Sequence, residues 1–280
     1  MKKKYGVIGY PIGHTMSPFI QKELFALQKF DGGYDKYEIA PENLAREFKD
    51  TLKDFCGFNV TIPHKVNIIP LLDGLDPVAA EYGAVNTVKI EGGRAIGYNT
   101  DAYGFLQGLE FAGTTLSGRV LVYGFGGAAR TIITESLKAG CEVFIGTTTE
   151  LKSNAETIAK ELSLKASGKI EILTNEEIKE EFDLLINATP VGMYPKTDAS
   201  PLSEKQIDLF SAVYDIVYNP TETKLLKIAK EKGKVCGGGL SMLVCQAMKA
   251  QTIWYGAEWT REETKEVIKK AEKELAEVFG

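Results

Sequence analysis

The sequence predicts an α/β protein in two domains, and three observations carry that reading. Short apolar runs alternate with amphipathic stretches from Tyr5 to Ile90, the order of an α/β layered domain. A different unit begins after Asp101: the compact run Arg119–Tyr123 leads straight into a glycine-rich turn and a helix, with further short apolar runs beyond. From Ser241 to Gly280 the pattern is helical, and this tail is expected to return to the first domain. A length of 280 residues allows one large domain or two of ordinary size, and 44% hydrophobic with 25% charged residues is enough for a proper core in each.

The elements follow in order. Tyr5 to Tyr10 reads as a strand running into a loop at Pro11-Ile12-Gly13. Ser17 stands at a cap position and Pro18 just inside, so a helix is expected from there to Gln28. Tyr34 to Ile39 looks like a second strand, Leu44 to Lys53 has helical spacing, and Gly57 to Thr61 is a third strand broken by Pro63. Pro77 to Tyr82 is helical and Ala84 to Ile90 is another strand. In the second unit a helix from Ala128 to Lys138 closes at Gly140, and a strand Cys141 to Ile145 follows. Leu184 to Asn187 and Ala212 to Ile216 have the apolar character of buried parallel strands. The tail has Ile268, Leu275 and Val278 as its apolar stripe, and Arg261 to Lys273 as a wet face. The domain boundaries expected are 1–101 with 240–280, and 102–239.

Composition narrows the function classes. A net charge of −5 argues against nucleic acid, which would call for a basic stripe. The four cysteines, Cys56, Cys141, Cys236 and Cys245, are far apart, read as core hydrophobes and point to a reduced cytoplasmic setting. Tyr5-Gly6-Val7-Ile8 is too short for a signal-peptide apolar region, and no run is apolar enough to cross a bilayer. With only two histidines, His14 and His64, a metal site is not expected; His14 shapes the first loop and His64 is packing or solvated. Trp254, Tyr255 and Trp259 are placed in the C-terminal helical region as core or interface. The oligomeric state stays open, a homodimer included.

The turn Gly124-Phe125-Gly126-Gly127-Ala128-Ala129 sits between a strand and a helix. Gly124 and Gly126 hold the first two positions of a dinucleotide fingerprint and Ala129 the third. Such a turn brings a pyrophosphate to the backbone and aims the helix N-terminus at its charge, so a Rossmann-type nucleotide domain is expected. An acid on the ribose 2′-hydroxyl would argue for NAD, but the next strand ends in Gly146-Thr147-Thr148-Thr149-Glu150-Leu151-Lys152. Thr147, Thr148, Thr149 and Lys152 suit a 2′-phosphate better. The balance favours NADP, with NAD left open by Glu150.

Segments spread along the whole chain, taken together, resemble the shikimate dehydrogenase family. They are Gly9 to Pro18, Asn59 to Lys65, Gly83 to Thr87, Asn99 to Asp101 with the glycine loop Gly124 to Arg130, Asn187 to Met193, Asp215 to Pro220 and Gly239 to Gln246. The resemblance implies reversible reduction of 3-dehydroshikimate to shikimate with a nicotinamide cofactor, a step of aromatic amino-acid biosynthesis. It places Lys65 in the acid–base role with Asp101 as its carboxylate partner. Thr15 and Ser17 would hold the substrate carboxylate, Thr15 standing where serine is more usual. Thr61, Asn86, Tyr218 and Gln246 would contact substrate, and Gly124, Gly126, Gly127, Ala128, Ile216 and Gly239 would border the cofactor. Thr147-Thr148-Thr149 stands where NADP-using members carry Asn-Arg-Thr, so a stacking arginine is missing. Lys152 offers only a point charge in its place. Two rivals remain at this stage. One is an NAD-dependent quinate/shikimate dehydrogenase; the other is a non-catalytic metabolite-binding relative, which would be expected to lose the lysine–aspartate pair that this chain keeps.

Overall fold

The computed structural model describes residues 3–13, 15–166 and 168–279; His14 lies outside the described residues. The chain divides into two compact units, Met1–Gly104 with Val244–Glu274 and Phe105–Leu243 with Leu275–Gly280.

The first unit runs β1 (Lys3–Gly9), α1 (Ser17–Leu27), β2 (Gly32–Glu38), α2 (Leu44–Asp50), β3 (Gly57–Val60), α3 (His64–Asn67), β4 (Gly74–Leu75), α4 (Pro77–Tyr82), β5 (Thr87–Glu91) and β6 (Arg94–Tyr98), before α5 (Asp101–Ala112) carries the chain onward. The strands form one sheet in the order β2-β1-β3-β5-β6-β4. Its β1 neighbours are parallel, whereas β3–β5 and β5–β6 are antiparallel. The β5–β6 hairpin turns on Gly92-Gly93, both with positive φ, the requirement of a two-residue turn of the primed type. Sequence patterning passed over β6 although that Gly-Gly pair announces it.

The second unit runs β7 (Arg119–Tyr123), α6 (Gly127–Lys138), β8 (Glu142–Thr147), α7 (Lys152–Ala166), β9 (Ile170–Thr174), β10 (Phe182–Asn187), α8 (Glu204–Ile207), β11 (Phe210–Asp215), α9 (Lys224–Glu231) and β12 (Val235–Gly238). All six strands are parallel in the order β12-β11-β10-β7-β8-β9. This is the doubly wound arrangement the patterning predicts, and its order reverses between β7 and β10, where such sheets bind ligands. Alternation along β7 explains the two-sided core. Val120 and Val122 join Ile132, Ile145 and Ile186 on one face, and Leu121 and Tyr123 join Phe144, Leu185 and Val213 on the other.

The C-terminal segment is helical as expected, in two helices, α10 (Gly239–Tyr255) and α11 (Arg261–Phe279). Trp259 falls in the link between them, where its Nε1 donates to the Met248 carbonyl at 3.1 Å. On α11 the buried residues are Thr264, Val267, Ala271 and Leu275, three and four apart. Of the expected stripe Leu275 is buried, Ile268 is only partly buried and Val278 is 57% exposed.

Other boundaries moved for local reasons. Ser17 is the first residue of α1, not its cap; Met16 precedes it without a side-chain bond, and the Thr15 hydroxyl accepts the Ser17 N–H at 3.2 Å. Gln28 is the residue after α1. The Leu44–Lys53 stretch leaves the α-helix at Thr51 and finishes as a 3₁₀ turn over Leu52–Asp54. The strand expected from Ala84 starts at Thr87, because Gly83 ends α4 in the left-handed region and the Val85 N–H goes to the Lys65 carbonyl.

Trp254 of α10 docks onto the first sheet. Its Nε1 donates to the Val88 carbonyl at 2.9 Å, its ring lies 4.7 Å from Tyr5, and Gly57 passes beneath it. A Cβ at Gly57 would sit 2.3 Å from the indole nitrogen and 2.7 Å from the Val88 carbonyl oxygen. Trp254→Ala is therefore expected to cost about 3–5 kcal/mol in urea unfolding. Gly57→Ala should also lower the midpoint clearly, whereas Gly126→Ala, with nothing within 4 Å of the added carbon, should leave it nearly in place.

Candidate active site

Three strand ends of the first unit converge on one charged pair. Lys65 is the second residue of α3, just past β3; Asp101 opens α5, just past β6. The Lys65 Nζ donates to Asp101 Oδ2 at 2.6 Å, with the two side chains 26% and 11% exposed. Asn86, directly ahead of β5, donates from Nδ2 to Asp101 Oδ1 at 2.8 Å, so both carboxylate oxygens are occupied. The Asn99 side-chain oxygen takes the Asp101 N–H at 2.9 Å, while its Nδ2 reaches the Ala84 carbonyl. A buried carboxylate held this way has one orientation, and the ammonium beside it keeps two hydrogens for another acceptor.

Gln246, on α10, accepts from Asn86 Nδ2 at 3.1 Å. Asn86 thus spends its amide hydrogens on protein acceptors, and Gln246 Nε2 is the amide left without a partner among the described residues. Thr15 and Ser17 are brought together, Thr15 Oγ1 donating to Ser17 Oγ at 3.1 Å. Thr61 is half-buried; its N–H goes to the Ile8 carbonyl and its methyl lies over Gly9. His64 is wholly buried, the packing alternative of the two foreseen. Its Nε2 lies 2.6 Å from the Ile39 carbonyl, and since a carbonyl only accepts, Nε2 carries the hydrogen.

In the second unit the glycine loop has the shape a pyrophosphate needs. Gly124 has φ +111°, and a side chain there would strike the Thr189 methyl at 2.7 Å. Gly126 and Gly127 are exposed with nothing within 4 Å of a built Cβ, and Ala128 follows in the first turn of α6. The Gly126 cap has no side-chain bond, so the N-terminal amides of this twelve-residue helix are open to an anion. Phe125 packs into the core beside Ala129, which explains how a large residue is tolerated in the loop. Ile216 and Gly239 are also brought together: a Cβ on Gly239 would lie 2.0 Å from the Ile216 carbonyl oxygen. Tyr218 is half-buried, and burial raises its phenol above the ordinary value, so it stays a hydroxyl donor at neutral pH. Thr147 is buried at the end of β8, whereas Thr148 is exposed. The residues present fit a dinucleotide, with Gly126 to Ala128 for its pyrophosphate. Lys152 is already engaged, its Nζ 3.0 and 3.1 Å from the two oxygens of Glu177.

The segments around Asn187 and Asp215 enter the family resemblance, but the sequence assigns neither residue a role. Asp215, fully buried at the end of β11, accepts from Asn187 Nδ2 (2.9 Å), the Val217 N–H (3.0 Å) and Thr223 Oγ1 (2.7 Å). Asn187 in turn holds the Thr189 N–H and hydroxyl. The loops after β10 and β11 are thereby tied to each other. Burial pushes the Asp215 carboxyl up to about 6 against the opposing pull of its donors. Because the folded chain then holds this proton more tightly than the unfolded chain, stability is full below about pH 4 and lost as pH rises through about 6. Relative to Asp215→Asn, unfolding free energy should fall by on the order of 3 kcal/mol across that window, measured by urea titration at several pH values.

A family model described as the shikimate dehydrogenase substrate binding domain matches residues 7–88. A shikimate dehydrogenase (NADP(+)) of Clostridium beijerinckii is 41% identical over 253 residues, covering 89% of this chain and 91% of the relative. The enzyme of that name from Methanocaldococcus jannaschii is 39% identical, covering 95% and 96%. A crystal structure of shikimate 5-dehydrogenase from Thermus thermophilus, in complex with NADP(H) and shikimate, superposes with a TM-score of 0.85 at 33% identity, covering 96% and 99%. Similarity at this level covers nearly the whole chain, both units included, and the chain belongs to the shikimate dehydrogenase family.

Proposed function

We propose that this chain is an NADP-dependent shikimate dehydrogenase that interconverts 3-dehydroshikimate and shikimate. The observation that carries the reading is the Lys65–Asp101 ion pair at 2.6 Å, locked by Asn86. Reduction of a ketone to an alcohol needs a hydride on carbon and a proton on oxygen. The nicotinamide, when bound, supplies or accepts the hydride. Lys65 supplies the proton to the oxygen in the reductive direction and takes it back in the oxidative one. Asp101 compensates the ammonium charge and aims it, and its second oxygen is held by Asn86, so the pair cannot swing apart. Thr15 and Ser17 anchor the substrate carboxylate with two hydroxyls already side by side. Thr61, Tyr218 and Gln246 hold ring hydroxyls, with the Gln246 amide hydrogens free to donate, while Asn86, expected to contact substrate, instead orients Asp101 and Gln246. Gly124, Gly126, Gly127 and Ala128 cradle the pyrophosphate, Thr147, Thr148 and Lys152 face the ribose, and Ile216 with Gly239 borders the nicotinamide. Residues 1–101 with 240–280 serve as the substrate domain and 102–239 as the nucleotide domain.

The names carried by the relatives support shikimate rather than quinate as substrate. The intact ion pair speaks against a non-catalytic binder. No described helix is long and apolar enough to cross a membrane, which accords with a small-molecule enzyme of the cytoplasm.

Lys65→Ala should lower kcat about 10²–10⁴-fold with little change in shikimate KM, followed by nicotinamide absorbance. Near-normal turnover would sink the assignment. Ser17→Ala should act the other way, raising KM for shikimate about tenfold or more through one lost charge-assisted bond while kcat changes little.

A further inference from the structure

The loop after β8 carries more negative charge than a 2′-phosphate site would want. Three of the four groups expected to meet that phosphate, all but the buried Thr147, already face a carboxylate. The Thr148 hydroxyl bonds Glu150, Thr149 Oγ1 donates to Glu176 Oε2 at 3.4 Å, and Lys152 Nζ sits between both oxygens of Glu177. Of these acids Glu177 is the one that holds the lysine, and the backbone of a neighbouring strand fixes it. It closes a capping box at the end of β9: its Oε2 accepts the Thr174 N–H at 2.8 Å, and the Thr174 side chain accepts the Glu177 N–H. Thr174 pairs in register with Thr147, the last residue of β8, so the sheet itself sets the carboxylate beside the nucleotide loop. The Thr174 N–H, and then Lys152, pull the Glu177 carboxyl down to about 2, so it is ionised across the working range.

A 2′-phosphate must therefore compete with a fixed carboxylate for Lys152, the cation expected to receive it. A ribose 2′-hydroxyl meets no such cost, since it can donate to a carboxylate. We propose that Glu177 is a cofactor-selectivity residue: by holding Lys152 it weakens binding of a 2′-phosphate and so lets the chain accept the dinucleotide with a plain ribose alongside the phosphorylated one. The inference rests on the dinucleotide reading of the glycine loop.

Adenosine 2′,5′-bisphosphate and 5′-AMP, titrated calorimetrically into the full-length protein at low salt, test it directly and without catalysis. Glu177→Gln keeps the capping box, because glutamine fills the same role at that position. In that variant the bisphosphate is expected to bind about tenfold tighter, with 5′-AMP changed less than about twofold. In a Lys152→Met background the same substitution should gain less than about twofold, since the competition is for Lys152. An unchanged ratio between the two probes, an equal gain for both, or a gain undiminished without Lys152 overturns the role of Glu177. Failure of the unaltered protein to bind either probe would overturn the dinucleotide reading itself and this inference with it.

Discussion

The Asn86 amide is the interaction on which the first unit's chemistry depends. Its oxygen accepts the Thr100 N–H at 2.8 Å and the Thr87 hydroxyl at 3.1 Å; its nitrogen donates to Asp101 and Gln246. Its backbone is equally committed, the N–H to the Tyr98 carbonyl and the carbonyl to the Val60 N–H. One residue thus joins β3, β6, the start of α5 and α10. The polar chain continues away from the site. Thr87 receives Asn59 Nδ2, Asn59 Oδ1 accepts from Gln21 and Tyr34, and Gln21 Oε1 accepts from Gln251, whose own oxygen takes the Tyr255 hydroxyl. A satisfied buried network is rigid because each member has one geometry that leaves no group orphaned. Lys65 inherits that rigidity through Asp101, and through its own carbonyl, which accepts the Val85 N–H.

The second unit solves a comparable problem in the same way. Loops that carry function leave the carboxyl ends of strands, and each must be fixed without a ladder to hold it. Asp215 and Asn187, the last residues of β11 and β10, are opposite each other in register and tie down the loops that follow both strands. Glycine does the complementary task. Gly124 and Gly239 let backbones approach where a methyl group would collide, and Gly126 and Gly127 keep open the space in front of α6.

How much of this was legible follows from the range over which each signal acts. The doubly wound sheet was readable because β7, β8, β10 and β11 are apolar on both faces and follow one another in order, and the ends of β7 and α4 were read to the residue. Edges decided by tertiary bonds were not readable. The β5 boundary depends on a bond from Val85 to Lys65, and the Ser17 cap was displaced by a hydroxyl two residues earlier. On α11 Leu275 faces inward as expected, but so do Thr264 and Ala271, which no apolar pattern marks, while Val278 does not. In the candidate site, Lys65, Asp101, Asn86 and Gln246 were each named from their segments, and the structure gathers them within hydrogen-bonding reach. The division of labour among them was not visible: Asn86 holds protein groups, and Gln246 keeps the free amide.

Cofactor selectivity shows the limit most clearly. Motif reading treats a loop as a string and asks which residues it contains; by that measure Lys152 counts as a phosphate ligand. Its charge is partly cancelled by Glu177, which lies on the far side of α7 in sequence and reaches Lys152 only because β8 and β9 pair in parallel. No spacing rule connects the two, since the length of the intervening helix and turn is free to vary while the strand register is not. Selectivity for a single phosphate is a difference between two large electrostatic terms, and a neighbour brought in by the sheet changes that difference as much as a residue of the loop itself. The same parallel crossover that builds the nucleotide site therefore also brings in the charge that tunes it.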